Sequence, residues 1–160
     1  MMPYRKPNLA KMPPAVLHEN GDITICLPIP IQAIGPNASR GQSRKAALRK
    51  SRAVREHKTL ARLMMKDALV VLGVEKPLFS GYSLAFYFRT AAFRDDDNAD
   101  ASCKAYRDGI AAALGIDDRG FRKLALSTHA KDAACARVEI RIIFGNARAM
   151  TPAKDQANEK

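Results

Sequence analysis

The chain has few cysteines, and their spacing does not suit metal binding or a disulfide framework. Cys26, Cys103 and Cys135 are far apart, and the sequence contains no C-x-x-C pair. A structural zinc site or a disulfide scaffold needs closer, paired spacing, so the sequence favours neither class. We expect the three side chains to behave as small buried hydrophobic groups.

Long apolar runs are absent as well. No stretch of the sequence reaches the roughly 20 apolar residues of a transmembrane helix, and the first residues lack the apolar centre of a signal peptide. No internal repeat is visible. These absences predict a cytoplasmic protein without a membrane partner, and a length of 160 residues predicts one domain with a sizeable core.

Acidic residues are scarce relative to basic ones. The sequence holds 27 Lys and Arg residues against 16 Asp and Glu residues, and its formal net charge is +11. A positive excess of this size indicates a polyanionic partner, and it favours nucleic acid over a membrane surface.

Several of the few acids are concentrated in one short stretch. The sequence from Arg94 to Asp100 reads R-D-D-D-N-A-D, and Asp117-Asp118 follow after a helical segment. Clustered carboxylates repel one another, and they cost stability unless a cation neutralises them. Mg²⁺ and Mn²⁺ prefer such oxygen ligands, with water and substrate phosphate completing the coordination shell. The cluster predicts a metal site for phosphodiester chemistry, although helix caps and a turn are alternative roles for these acids.

Helical periodicity from Asn98 to Leu114 connects the two acidic groups, and Gly115 ends the helix. One face is apolar. The opposite face is polar and carries Asp97, Asp100, Lys104 and Asp108. Asp96 and Asp108, taken singly, are interpreted as structural or solvent-facing residues.

A second helix is predicted from Gln42 to Gly73. Its apolar stripe consists of Ala46, Ala53, Leu60, Met64, Ala68 and Val71. Its other side is basic and carries Arg44, Lys45, Arg49, Arg52, Arg55, Lys58 and Arg62. Solvated helix faces usually mix charges, because like charges at i,i+4 repel. With few aromatic side chains among them, these residues predict contacts to duplex phosphates rather than base stacking on single strands.

The remaining periodicity is that of β-strands. Strands are predicted at Asp22–Pro28, Tyr82–Arg89, Lys123–His129 and Ala136–Phe144, and the last two are expected to form a hairpin. The order β-α-β-α-β-β predicts an α+β domain with a mixed sheet and two main helices over residues 22–145. Residues 1–21 are expected to be a flexible basic arm and residues 146–160 a disordered polar tail. His57 and His129 have no acid partner at a readable spacing and are interpreted as non-catalytic.

The acidic stretch resembles the signature of the RusA-type crossover-junction endodeoxyribonucleases, which are phage and prophage Holliday-junction resolvases. The shared pattern is an R-D-x-D-N run, a lysine in the next helix and a later Asp-Asp pair. The resemblance implies that Asp95, Asp97 and Asp118 are catalytic metal ligands for Mg²⁺, with Mn²⁺ as an alternative. It also implies that Lys104 is the catalytic lysine, although Lys104 lies about two turns after the asparagine instead of one. Arg94 joins the basic residues expected to contact DNA.

The resemblance also implies a homodimer that cuts a four-way DNA junction during recombination and repair. The alternatives are a non-catalytic nucleic-acid-binding protein, in which the acids are caps and turn residues, and a basic accessory factor that binds another protein. Metal-dependent nicking of branched DNA separates the nuclease from both.

Overall fold

A computed structural model describes residues 9–31, 34–35, 43–75, 79–90 and 95–145, with only the backbone of Phe79, Ser80 and Asp118. The elements in chain order are β1 (Val16–Leu17), β2 (Ile23–Leu27), α1 (Arg44–Leu72), β3 (Phe79–Phe88), α2 (Asp96–Ser102), α3 (Lys104–Leu114), β4 (Thr128–Lys131) and β5 (Arg137–Phe144). Short 3-10 turns lie at Leu9–Lys11 and Asp118–Gly120.

The strands form one mixed sheet in the order β1-β2-β5-β3-β4. β3 and β4 are parallel, whereas the other neighbouring pairs are antiparallel. The predicted class, an α+β domain with a mixed sheet, is confirmed. None of the helices in the described part of the chain is long and apolar enough to cross a membrane.

The core lies on one face of this sheet, where three strands contribute matching apolar rows. Because side chains alternate along a strand, every second residue of β2, β5 and β3 points to the same face. The register aligns these residues in three rows across the strands: Ile23 with Ile142 and Tyr82, Ile25 with Ile140 and Leu84, and Leu27 with Val138 and Phe86. All nine are buried, which explains the strict alternation in β3 and β5.

α1 and α3 pack together over the core. Gly109 of α3 lies so close to α1 that a Cβ atom there would collide with the carbonyl oxygen of Lys58. The predicted ends of both helices are confirmed, because Gly73 and Gly115 follow them with φ of 64° and 68°. That left-handed conformation favours glycine.

The predicted hairpin between the last two strands is wrong. β4 lies on the far side of β3 and pairs with it in parallel, so β3 separates β4 from β5. Parallel neighbours need a helical crossover, and α2 with α3 supplies it. Residues after α3 therefore return beside β3, beginning with the pairing of Lys123 with Tyr82.

Two further expectations are corrected. The predicted helix over Asn98–Leu114 is two helices that meet at Cys103, whose φ of −90° and ψ of 2° interrupt the α conformation. The α1 stripe is confirmed in part and is centred differently from the predicted one. Ala53 and Ala68 are buried and Leu60 and Met64 pack against the core, but the other buried residues are His57, Ala61 and Met65. Val71, assigned to the stripe, is 72% exposed.

The chain ends are described only in part. Val16–Leu17, within the predicted arm, pairs with β2. Residues 1–8 of that arm and the predicted tail, residues 146–160, lie outside the described residues. Cys26 and Cys103 are buried as expected, Cys135 is half-buried, and all three are free thiols. Burial raises the pKa of the Cys26 thiol to about 11.

Candidate active site

The acidic stretch forms the start of α2. Asp95 is the N-cap residue, and its carbonyl oxygen accepts a hydrogen bond from the amide of Ala99 at 2.9 Å. The Asp95 carboxylate makes no capping hydrogen bond. Asp96 and Asp97 lie in the first turn, where carboxylates suit the positive end of the helix dipole.

Asp96 has structural partners. Its Oδ1 atom accepts hydrogen bonds from the Lys123 ammonium group and from the backbone amide of Ser127, the latter at 2.7 Å. These hydrogen bonds, that of Lys123 first, lower the pKa of Asp96 to about 2. Asp96 therefore ties the start of α2 to the segment that runs beside β3.

Asp95 and Asp97 differ from the aspartate between them. Both are exposed, and within the described part of the chain neither carboxylate has a hydrogen bond or an ion pair. Three consecutive aspartates thus comprise one paired residue and two whose oxygens face solvent. The two exposed carboxylates remain available to a ligand.

A second set of contacts holds the other end of α2. Asp100 accepts a hydrogen bond from the Tyr82 hydroxyl at 2.5 Å, and its other oxygen lies 3.4 Å from the Arg107 guanidinium group. Arg107 also donates to the Tyr82 hydroxyl at 2.8 Å. Burial is the main reason that the pKa of Tyr82 is raised. Asp100 is therefore part of a network that fixes α2 and α3 to β3.

The second acidic pair lies in the loop after α3. Asp117 accepts a hydrogen bond from the amide of Arg119 at 3.0 Å, which is a turn role. Asp118 begins the 3-10 turn, and its side chain is outside the described atoms. Phe121 packs against Tyr82 with ring centroids 4.8 Å apart. The loop and α2 therefore both contact Tyr82.

Lys104 is the first residue of α3. Its ammonium group lies 3.1 Å and 3.2 Å from the two oxygens of Asp108, one turn later, and its side chain is 63% exposed. An exposed i,i+4 pair contributes only about 0.3–0.5 kcal/mol. Lys104 can therefore exchange Asp108 for a phosphate at little cost.

The donor atoms fit a hard divalent cation better than a structural transition metal. Asp95 and Asp97 offer carboxylate oxygens without competing cations, and Mg²⁺ is commonly bound through one or two carboxylates plus water and phosphate. Among the described residues, no three His, Cys, Asp or Glu side chains come together as a metal site. The predicted triad includes Asp118, whose side chain lies outside that description.

The basic side of α1 faces solvent. All seven basic residues predicted to contact DNA on this helix are exposed. Arg52 forms an exposed ion pair with Glu56 at 2.9 Å. The other six have no ion-pair partner in the described part of the chain: Arg44, Lys45, Arg49, Arg55, Lys58 and Arg62. Arg94, also predicted to contact DNA, lies outside the described residues.

The two histidines that were predicted to be non-catalytic, His57 and His129, have packing roles. His57 is buried, stacks on Tyr106 with centroids 5.0 Å apart and bonds through Nδ1 to the carbonyl oxygen of Ala53. Burial lowers the pKa of His57. His129 stacks with Phe86 and Phe88.

Sequence reasoning missed two lysines. Lys123, the partner of Asp96, lies 27 residues away, and no local pattern signals that pair. The predicted set of DNA-contacting residues does not include Lys50 of α1. Lys50 borders a cavity shared by α1 and α3. The sequence could have indicated this position of Lys50. Ala53 and His57 follow it by three and seven residues, so all three lie on the same side of α1, and Ala53 and His57 are buried.

A comparison with known proteins finds similarity to an uncharacterized protein. No protein-family model matches the chain. A stretch of 100 residues is 40% identical to an uncharacterized protein of Xylella fastidiosa (strain Temecula1). The match covers 61% of this chain and 61% of that protein, so the chain spans less than two thirds of the relative.

Proposed function

We propose that this protein is a divalent-metal-dependent endonuclease of the RusA type that cuts branched DNA. The observation that carries the proposal is that the three consecutive aspartates differ in their contacts. Asp96 is paired with Lys123, whereas Asp95 and Asp97 stay exposed without a partner in the described part of the chain. Two exposed carboxylates that have no cation partner among the described residues can serve as oxygen ligands of a divalent cation.

In this proposal Asp95, Asp97 and Asp118 hold Mg²⁺, with Mn²⁺ as an alternative. When bound, such a cation lowers the pKa of water and neutralises charge on a phosphate. Asp96 and Asp100 keep α2 in place through their contacts to Lys123 and Tyr82. Lys104 turns from Asp108 to the scissile phosphate and stabilises the negative charge that develops there.

DNA would approach along α1. Six exposed cations without ion-pair partners in the described residues favour contacts with the phosphate backbone. The same face supports the alternative of a non-catalytic nucleic-acid-binding protein, because backbone contacts need no chemistry. The exposed acids favour the nuclease. Either function goes with a cytoplasmic location.

Two copies would act on one junction. Resolution of a four-way junction needs two symmetric cuts, and each chain has one acidic cluster, so a two-fold dimer is the simplest assembly. Val70 and Val71 at the end of α1 are 80% and 72% exposed, which supports an additional contact there. Mixing wild type with excess Asp97→Asn should yield heterodimers that nick one strand without resolving the junction. A monomer that resolves junctions completely would contradict the dimer.

The test of the proposed function is cleavage of a synthetic four-way junction and of its separate linear arms, with and without Mg²⁺. We expect cuts near the branch only when the junction and Mg²⁺ are both present. Tight binding of the junction without cleavage under any divalent cation would favour the non-catalytic alternative.

A further inference from the structure

A small cavity lies between α1 and the α2–α3 segment. Its volume is about 220 Å³. Val54, Ala101 and Ala105 line it with apolar groups, and the side chains of Lys50, Lys104 and Asp108 border it. The cavity therefore combines an apolar lining with two ammonium groups and one carboxylate.

Its position is next to the candidate metal ligands. Ala101 lies one helical turn after Asp97 in α2, and residues four apart share a helix face with Cβ atoms about 5–6 Å apart. Lys50 and Val54 are likewise one turn apart on α1. The cavity therefore lies between α1 and the helix whose first turn carries the exposed Asp97.

The size of the cavity restricts what can enter. Pockets for drug-sized ligands are roughly 300–1,000 Å³, so this one suits a smaller group. A stacked base pair within a duplex is too large for a cavity of this volume, and enzymes that place a single base in a pocket take that base out of the stack. The flat face of a single base is apolar enough for Val54, Ala101 and Ala105.

The charges indicate what the base is attached to. The ammonium groups of Lys50 and Lys104 favour an anion beside the apolar lining. Lys104 forms an exposed ion pair with Asp108, which also borders the cavity. A nucleotide within a DNA strand has a base and flanking phosphates. Lys50 is half-buried and lies on the side of α1 that faces the core, at the edge of the cavity.

We propose that this cavity receives one unstacked nucleotide of the branched DNA, with Lys50 and Lys104 contacting its phosphates. This inference rests on the proposed function, because it assumes that branched DNA is held between α1 and α2. It adds a binding site for the nucleotide next to the cleaved bond, and it assigns Lys50 to that site.

The test uses four-way junctions with 2-aminopurine placed, one position at a time, beside the branch. Binding is measured by fluorescence in EDTA, so that no cleavage is needed. We expect wild-type protein to raise the fluorescence at one position, because 2-aminopurine is brighter when it is unstacked. Ala101→Leu, which fills the cavity, should remove that rise. It should also weaken junction binding, because the base loses its apolar contacts in the cavity.

The matched control is Ala112→Leu, an exposed position of α3 that does not border the cavity. It should keep the wild-type fluorescence rise, and both variants should keep the wild-type melting temperature. An unchanged rise in Ala101→Leu, or no response at any position, would overturn the site. A rise that Ala101→Leu removes, in a protein that never cuts DNA with Mg²⁺, would support the site and contradict the nuclease.

Discussion

The basic residues of β5 have ion-pair partners within the protein, whereas most of those on α1 have none among the described residues. Arg137 is 12% exposed, pairs with Asp132 and with Glu139 at 2.8 Å, and lies 3.9 Å from the centre of the Tyr87 ring. Arg141 pairs with the buried Asp22 at 2.8 Å. The α1 cations face solvent, and Arg52 alone among the seven has an ion-pair partner within the described residues. The charge on β5 therefore serves the fold, and the charge on α1 is available to a partner.

The aspartates show the same division. Asp22 is buried and accepts hydrogen bonds from Arg141, from Asn20 at 3.0 Å and from the amide of Phe144 at 3.2 Å. Asp97 is exposed and accepts none within the described part of the chain. Paired acids should thus affect stability when they are replaced, and unpaired ones should affect ligand binding and chemistry.

The largest effect on DNA binding is expected from removing exposed cations of α1. Replacing Arg49, Arg52 and Arg55 by Ala should weaken binding to every DNA sequence alike. It should also flatten the plot of log affinity against log salt by about 0.9 for each lost phosphate contact. Filter binding or anisotropy over a salt series measures both.

The control for this triple variant is Arg141→Gln, which removes a paired cation of the sheet. Its salt slope should match that of the wild type. If Arg141→Gln flattens the salt slope and the α1 variant does not, then β5 contacts DNA phosphates and α1 does not.

Breaking the paired region should lower stability instead. Asp22→Ala removes the acceptor of three hydrogen bonds, including the one from the Phe144 amide. We expect a loss of about 1–3 kcal/mol in the free energy of unfolding by urea titration, because the part-buried Phe144 amide and two side-chain donors lose their acceptor. Asp67→Ala, at an exposed position of α1, should stay within about 0.5 kcal/mol of the wild type. Equal losses of unfolding free energy in both variants would contradict a stabilising role for the Asp22 hydrogen bonds.

A smaller effect concerns acid pH. The pKa of Asp96 is lowered to about 2, below its usual value near 3.9, so the folded state favours the ionised form. The stability that Asp96 contributes is therefore present above about pH 4 and is lost as the pH falls towards 2. The gap in melting temperature between wild type and Asp96→Asn should be constant from pH 5 to 7 and should close below pH 4. A gap that widens on acidification would contradict the pairing with Lys123.

Local patterns predicted much of the fold but not the pairing of its parts. The long helix, the glycines that end both helices and the alternation in β3 and β5 follow from neighbouring residues. The position of β4 beside β3 does not, because the choice of strand partner depends on the crossover through α2 and α3. The expected hairpin failed for that reason.

The candidate site shows the same limit. The acidic run was visible in the sequence, but the distinction between Asp96 and its neighbours depends on Lys123 and Ser127, about 30 residues away. The bend at Cys103 was also hidden, because the apolar face continues through it into α3.

The most direct test of the account is to compare Asp97→Asn with Asp96→Asn in Mg²⁺-dependent cleavage of a four-way junction. These adjacent substitutions are the same chemical change at an unpaired and a paired carboxylate. Asp97→Asn should lower the cleavage rate by at least about 10³-fold, about 4 kcal/mol, with junction binding and melting temperature unchanged. Asp96→Asn should keep measurable cleavage and melt at a lower temperature. Normal cleavage by Asp97→Asn would contradict the proposal that the exposed aspartates hold the metal.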